Sequence, residues 1–290
     1  MSKGIQHDTH GNCLLVVDGS NLLFQMFFGM PSRIINKEGK AIHGTLGFVG
    51  ALLKIIRRVK PTHIVVLFDG EHQNNRKQLD ENYKANRADY SQTAEEDTPF
   101  SQLPDVYAAL DYLTIPHTET TEYETDDIVA SYALTLGRDT KIIISSFDSD
   151  FFQLITDKVS VLRYRGDQTI ICTPDYIKNK FGISPHQYAD FKSLTGDPSD
   201  NIKGAEKIGP KTAALLLNTF GTLESILAHT NRIEKPYIKE SIVRNRERLR
   251  TNYALIKLCD NAPLPFSLKE AQYQHRDITT TDVLKEIGLK

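Results

Sequence analysis

Several absences narrow the reading of this chain. It has only three cysteines, Cys13, Cys172 and Cys259, odd in number and far apart, so neither a disulfide framework nor a cysteine zinc site fits. They read as reduced thiols of a cytoplasmic protein. No run of eighteen apolar residues occurs, which leaves no membrane-spanning segment. The first twelve residues, MSKGIQHDTHGN, hold no apolar stretch and so no signal peptide; they read as a disordered tail. Net charge is also nearly absent, at -2, which argues at first against a polyanionic partner. What is present is ordinary: 40% hydrophobic residues, enough for a buried core, in 290 residues that allow one large domain or two smaller ones.

The distribution of acids changes the picture. Asp18 and Asp69 stand singly, and Glu124-Thr-Asp126-Asp127, Asp148-Ser-Asp150 and Asp197-Pro-Ser-Asp200 form groups. Without these nine, 28 acidic side chains face 35 Lys and Arg, a surplus of seven positive charges. A basic body with one acidic pocket suits a metal-dependent enzyme acting on a polyanion. Clustered carboxylates repel and need cations, and oxygen ligands with almost no His or Cys suit Mg²⁺ or Mn²⁺ rather than zinc.

Short apolar runs at 13–17 and 63–68, and KIIISS at 141–146, read as buried strands, each followed by an acid. Residues 159–164 and 168–172 read as a hairpin. Helical periodicity covers 44–59, 103–113 and 126–136, and helices dominate from Thr173 onward. Alternation of strands and helices predicts an α/β fold with a parallel or mixed sheet. In such a sheet Asp18, Asp69 and Asp148 share the carboxyl edge, where ligands bind. A lone acid after a strand is usually a turn residue, and acids at a helix start usually cap it. Three strand-end acids together with Glu124-x-Asp-Asp are harder to explain that way. Glu124 and Asp127, three apart, share a helix face, and Asp126 points elsewhere. Residues 71–101 have few aliphatics and are too long for an ordinary loop.

Residues 196–221, GDPSDNIKGAEKIGPKTAALLLNTFG, read as a turn opening a helix: Gly209 permits close approach, Pro210 suits the first turn, and free amides there can hold a phosphate. Lys203, Lys207, Lys211 and Thr212 flank it. With the preceding helix this makes a helix-hairpin-helix unit at about 186–226, which holds duplex backbone without reading bases. A second basic stretch, 232–250, with seven Lys and Arg, is either a solvated helix face or an extension of that surface.

The segments VVDGSNLLF, VVLFDG, NYKANR, YETDDIVA, FDSDFFQL and TGDPSDNIKGAEKIGPKTA together resemble the 5′-nuclease (flap endonuclease) family, over about residues 14–289. The resemblance implies a PIN-like, resolvase-like core at 13–180 with a helical arch at about 71–100. It also implies a helical region at 181–290 with a helix-three-turn-helix. It assigns Asp18, Asp69 and Glu124 to one metal and Asp148, Asp150, Asp197 and Asp200 to a second, with Asp126 bridging and Asp127 nearby. Lys84 and Arg87 match its basic residues at the scissile phosphate, and Arg76 and Tyr83 would line the channel, Tyr83 by base stacking. The implied cofactors are two Mg²⁺, replaceable by Mn²⁺, and K⁺ at the hairpin. The implied partner is 5′-flap, nicked or branched DNA, including RNA-tipped flaps, bound by a monomer in the bacterial cytosol and cut to leave a 5′-phosphate. One departure is Gln25, where relatives commonly carry Arg after the aromatic. A branched-DNA binder without cleavage and a PIN-type RNA nuclease stay open as alternatives. A haloacid-type phosphatase is disfavoured, because Asp18-Gly19-Ser20 lacks the Asp-x-Asp pair.

Overall fold

Strand β1, Cys13–Asp18, shows why the apolar runs are continuous rather than alternating. Leu14 and Val16 enter one hydrophobic cluster and Leu15 and Val17 another, so both faces of the strand are covered. In this computed structural model, which describes residues 11–70, 76, 79–86, 93–94, 97–259 and 261–290, the same division holds for the neighbouring strands. One face is packed by α1 (Gly19–Gly29), α2 (His43–Val59) and α3 (Leu103–Tyr112). The other is packed by α4 (Thr125–Leu136) and by the helices between residues 174 and 249, while the last helix returns to the first face through Val283.

The remaining strands are β2 (His63–Asp69), β3 (His117–Thr120), β4 (Lys141–Ser145), β5 (Val159–Arg163) and β6 (Ile170–Cys172). Their order is β3-β2-β1-β4-β5-β6. All neighbours are parallel except β5 and β6, which form an antiparallel hairpin. Val17 pairs with Val66 on one side and Ser145 on the other, and strand order reverses between β1 and β4. The crevice outside the carboxyl ends at such a reversal is where open α/β sheets bind ligands. The mostly parallel α/β sheet read from the sequence is therefore the observed one.

The second half holds α5 (Pro174–Phe181), α6 (Tyr188–Thr195), the two-residue strands β7 (Gly196–Asp197) and β8 (Ile202–Lys203), and α7 (Pro210–Phe220). Then come α8 (Leu223–Ala228), α9 (Pro236–Arg244), α10 (Arg246–Ile256) and α11 (Thr280–Glu286). The basic stretch 232–250 is two helices rather than one. Asn245 breaks it by turning its side-chain amide back to the Ser241 carbonyl at 2.8 Å, a bond that competes with helix continuation. No helix among the described residues is long and apolar enough to cross a membrane. Residues 1–10, Arg87 and half of the 71–100 stretch lie outside the described residues.

Candidate metal centre

Asp18 is the last residue of β1 and the N-cap of α1, and it is 6% exposed. Its Oδ1 accepts the Asn21 N–H at 2.9 Å, and its Oδ2 accepts the Ser146 hydroxyl at 2.8 Å. The Asp148 N–H donates to that same hydroxyl at 3.0 Å, and Asn21 Oδ1 accepts the Phe147 N–H at 3.0 Å. One short network thus stitches the end of β1 to the turn after β4. Burial, with repulsion from Asp69 and Asp148, raises the Asp18 carboxyl to about 7. Asp69 closes β2 on the exposed side, its N–H donating to Ser20 Oγ at 2.8 Å.

At the start of α4 the acids divide. Asp126 faces the strand-end carboxylates; burial and then Asp148 push it well above the ordinary range, opposed by Lys84. Asp127 faces away from them. Its Oδ1 accepts from Arg76 at 2.7 Å and from the Cys259 N–H at 2.9 Å, and Arg76 also bonds Glu124. Arg76 is therefore held inside the acidic group by two carboxylates. Lys84 Nζ lies 3.5 Å from Glu124 Oε2, so this cation also points into the acids.

The last acids converge most tightly. Asp150, Asp197 and Asp200 are all buried, with one carboxylate oxygen from each lying within 4.8 Å of the others. Asp150 sits in a 3-10 turn, Asp150–Leu154, and its N–H donates to Asp148 Oδ1 at 2.8 Å. Lys192, on α6, bonds both Asp150 and Asp197. Burial raises Asp150 to about 7 even with this cation beside it. Burial also opposes ionisation of Asp197, but Lys192 and the Ser199 donors outweigh it and hold that carboxyl below its usual range. Sequence reasoning did not find Lys192. The available signal was a single Lys inside a helix whose neighbours Phe191, Ser193 and Leu194 are all buried.

The hairpin follows directly, because Asp197 and Asp200 belong to its turn. Gly196 has φ +85, and a Cβ there would lie 2.5 Å from the Gly204 nitrogen, so the two glycines let the ends of the turn touch. Helix α10 grips the same loop: Asn252 Nδ2 donates to the Ser193 and Lys203 carbonyls at 3.0 and 2.9 Å, and Arg248 to the Gly204 carbonyl at 3.0 Å. Arg246 donates to the Leu227 carbonyl. Two arginines of the basic stretch are thus engaged with backbone. Lys203, Lys207, Gly209 and Lys211 are exposed, Thr212 is half-buried, and Gly209 caps α7 without a side chain over the first-turn amides.

Residues 82–86 form a turn docked on Pro198–Asn201. The Lys84 N–H donates to the Asp200 carbonyl at 3.0 Å, Asn201 Nδ2 to Asn82 O at 2.9 Å, and Asn86 Nδ2 to Pro198 O at 2.9 Å. Tyr83 anchors this turn. It is 3% exposed and packs with Ala189, Ile202, Leu255 and Ile256, so the expectation that it stacks on bases is corrected: its ring is core. Gln25 is engaged with backbone, since its Nε2 donates to the Tyr164 carbonyl at 2.7 Å.

A resolvase-like α/β sheet with buried carboxylates at its switch point, joined to a helical hairpin, defines a class of metal-dependent nuclease. Residues 13–182 match the family described as "5'-3' exonuclease, N-terminal resolvase-like domain", and residues 183–279 match "5'-3' exonuclease, C-terminal SAM fold". The chain belongs to the 5′–3′ exonuclease family. It is 33% identical over 279 residues to DNA polymerase I of Deinococcus radiodurans, covering 95% of this chain and 28% of that protein. It is 34% identical over 283 residues to DNA polymerase I of Bacillus caldotenax, covering 96% and 31%. The chain therefore spans about three-tenths of these relatives' length. Among solved structures, the T5 D15 protein co-crystallised with metal ions superposes with a TM-score of 0.70 at 23% identity, covering 84% of this chain and 89% of that one. The catalytic core of Rad2 in complex with DNA substrate gives 0.56 at 18% identity, covering 88% and 81%.

Proposed function

We propose that this protein is a structure-specific 5′-nuclease that hydrolyses phosphodiesters of 5′-flap or nicked DNA with two divalent ions, Mg²⁺ or Mn²⁺. The observation that carries this reading is the placement of Asp197 and Asp200 inside the turn of the basic hairpin. The donor set fits such ions: it is all oxygen and converging, and burial, with repulsion between neighbouring acids, raises Asp18, Asp126 and Asp150. Asp18, Asp69, Glu124 and Asp126 would hold one ion and Asp150, Asp197 and Asp200 the other. Asp148 lies among both groups, since it repels Asp18, Asp126 and Asp150. Divalent ions there supply Lewis-acid polarisation of the phosphate and a nucleophilic water at neutral pH.

The chain's own residues do the rest. Lys84, and Arg87 by its match to the family, neutralise charge that builds on the phosphate, a contribution that can reach about 3 kcal/mol. Asp127 holds Arg76 and the Cys259 backbone, so its role is to position the start of α4. The first-turn amides of α7, with Lys203, Lys207 and Lys211, hold duplex phosphates, and K⁺ binding at this hairpin belongs to the same reading. So do the helical region from 181 onward as the duplex-holding part, a monomeric state, acceptance of RNA-tipped flaps and a cytosolic setting.

The test is cleavage of labelled 5′-flap, nicked and single-stranded DNA in Mg²⁺ and in EDTA. Flap cutting in Mg²⁺ alone is expected, with cleavage abolished and DNA binding kept in the D148A/D150A double variant. A wild-type protein that binds flaps in Mg²⁺ without cutting would be a branched-DNA binder. A double variant that cuts at the wild-type rate would overturn the metal assignment.

A further inference from the structure

Gln153 sits in the 3-10 turn that carries Asp150 and is 8% exposed. Its Nε2 donates to the Asp150 carbonyl at 2.9 Å and to the Ile256 carbonyl at 3.0 Å, and its Oε1 accepts the Leu258 N–H at 3.1 Å. Only this amide orientation satisfies two carbonyls and one N–H at once. Ile256 is the last residue of α10, and Leu258 lies two residues beyond. One turn earlier on α10, Asn252 holds the Ser193 and Lys203 carbonyls on either side of the hairpin turn. Helix α10 is therefore a strut, tied at its C-terminal end to the backbone of an acidic turn and along its length to the hairpin.

We propose that Gln153 is a positioning residue that sets the register between the DNA-holding hairpin and the acidic centre, and so fixes which phosphodiester is cut. The proposal rests on the nuclease reading above. An amide is required because each alternative breaks a specific bond. Met in its place satisfies none of the three backbone groups. Glu keeps the acceptor for Leu258 but loses both donors and adds a negative charge beside Asp150. A displaced Asp150 turn leaves the hairpin's phosphate contacts intact, so affinity is kept while register is lost. A misplacement of about 1 Å costs on the order of 10²-fold in rate.

The experiment uses the full chain and a 5′-labelled flap resolved to single nucleotides. Wild type, Gln153→Met, Gln153→Glu and Asn252→Ala are compared for cut-position distribution, single-turnover rate at saturating DNA, and flap affinity in EDTA. The expected result is a single dominant product for wild type. The Gln153 variants should spread cutting over neighbouring positions and fall at least ten-fold in saturating rate, with affinity within two-fold of wild type. Asn252→Ala, which loosens the strut at its other attachment, should spread the products in the same way. Variants that lose thermal stability but keep the wild-type product distribution and rate would make Gln153 a purely structural residue and overturn the proposal. A folded Gln153→Met protein whose only defect is flap affinity would overturn it too. Failure of the wild type to cut at all is a different outcome, and it would sink the nuclease reading itself.

Discussion

The ammonium of Lys192 lies between the carboxylates of Asp150 and Asp197 and bonds to both. One buried cation is thus shared by two of the three acids that converge there, and the third, Asp200, lies within the same 4.8 Å group. Removing one partner of a buried ion pair leaves an uncompensated charge, at about 3–5 kcal/mol. Lys192→Met should therefore destabilise the metal-free protein by about that much. Divalent ions that bind only the folded state should recover stability, and more so in the variant than in wild type. Thermal unfolding in EDTA and in Mg²⁺ checks this; equal midpoints for the two proteins in EDTA would refute it.

The raised carboxyls predict an unusual pH dependence for the metal-free protein. Asp18 and Asp150 lie near 7 when folded, against 3.8 ordinarily. Between about pH 4 and 7 the folded state holds protons on these groups that the unfolded state has released, so their contribution to stability falls as pH rises through that window. Asp18→Asn should flatten the fall and keep the N-cap of α1, since Asn caps as well as Asp. The check is the unfolding midpoint against pH in EDTA. A wild-type profile that rises across the window and is unchanged by Asp18→Asn would contradict the assignment.

Tyr83 separates packing from nucleic-acid contact. If its ring is core, Tyr83→Phe keeps both stability and flap affinity. Tyr83→Ala removes the anchor of the 82–86 turn at a cost of roughly 3 kcal/mol. Three hydrogen bonds to Pro198–Asn201 should then open together, and limited proteolysis within 82–86 should speed up. Loss of flap affinity in Tyr83→Leu, which keeps apolar bulk but removes the aromatic face, with folding intact, would restore the stacking role.

Much of this was legible in the sequence because the strand ends declare themselves. CLLVVD and HIVVLFD are apolar on both faces and then abruptly acidic, the pattern of a buried parallel strand that ends at the sheet's carboxyl edge. Strand β3 was not legible: His117–Thr120 is four residues long, polar, and paired with β2 alone. Helix α1 was hidden for a different reason, since its N-cap Asp18 is also a candidate ligand and reads first as chemistry. Lys192, Arg248, Asn252 and Gln153 act through contacts far apart in sequence, such as that between Gln153 and Ile256, 103 positions apart. No local pattern announces such contacts. Tyr83 was misread because a short polar segment gives no sign that one of its rings reaches a pocket built by α6 and α10.

The contact between Gly196 and Gly204 has a consequence for how this protein can change. A side chain at either position would meet backbone, not a movable neighbour, so no compensating substitution nearby can make room. The loop holding Asp197 and Asp200 is therefore pinned at its base, whereas the lysines on its outer face can vary without disturbing it. A library randomised over 194–212 should return glycine at these two positions in every folded clone and a wide choice at Lys203, Lys207 and Lys211. Changes in which DNA junctions the protein prefers would then arise on the surface of the hairpin, with the spacing between grip and acids handed down unaltered.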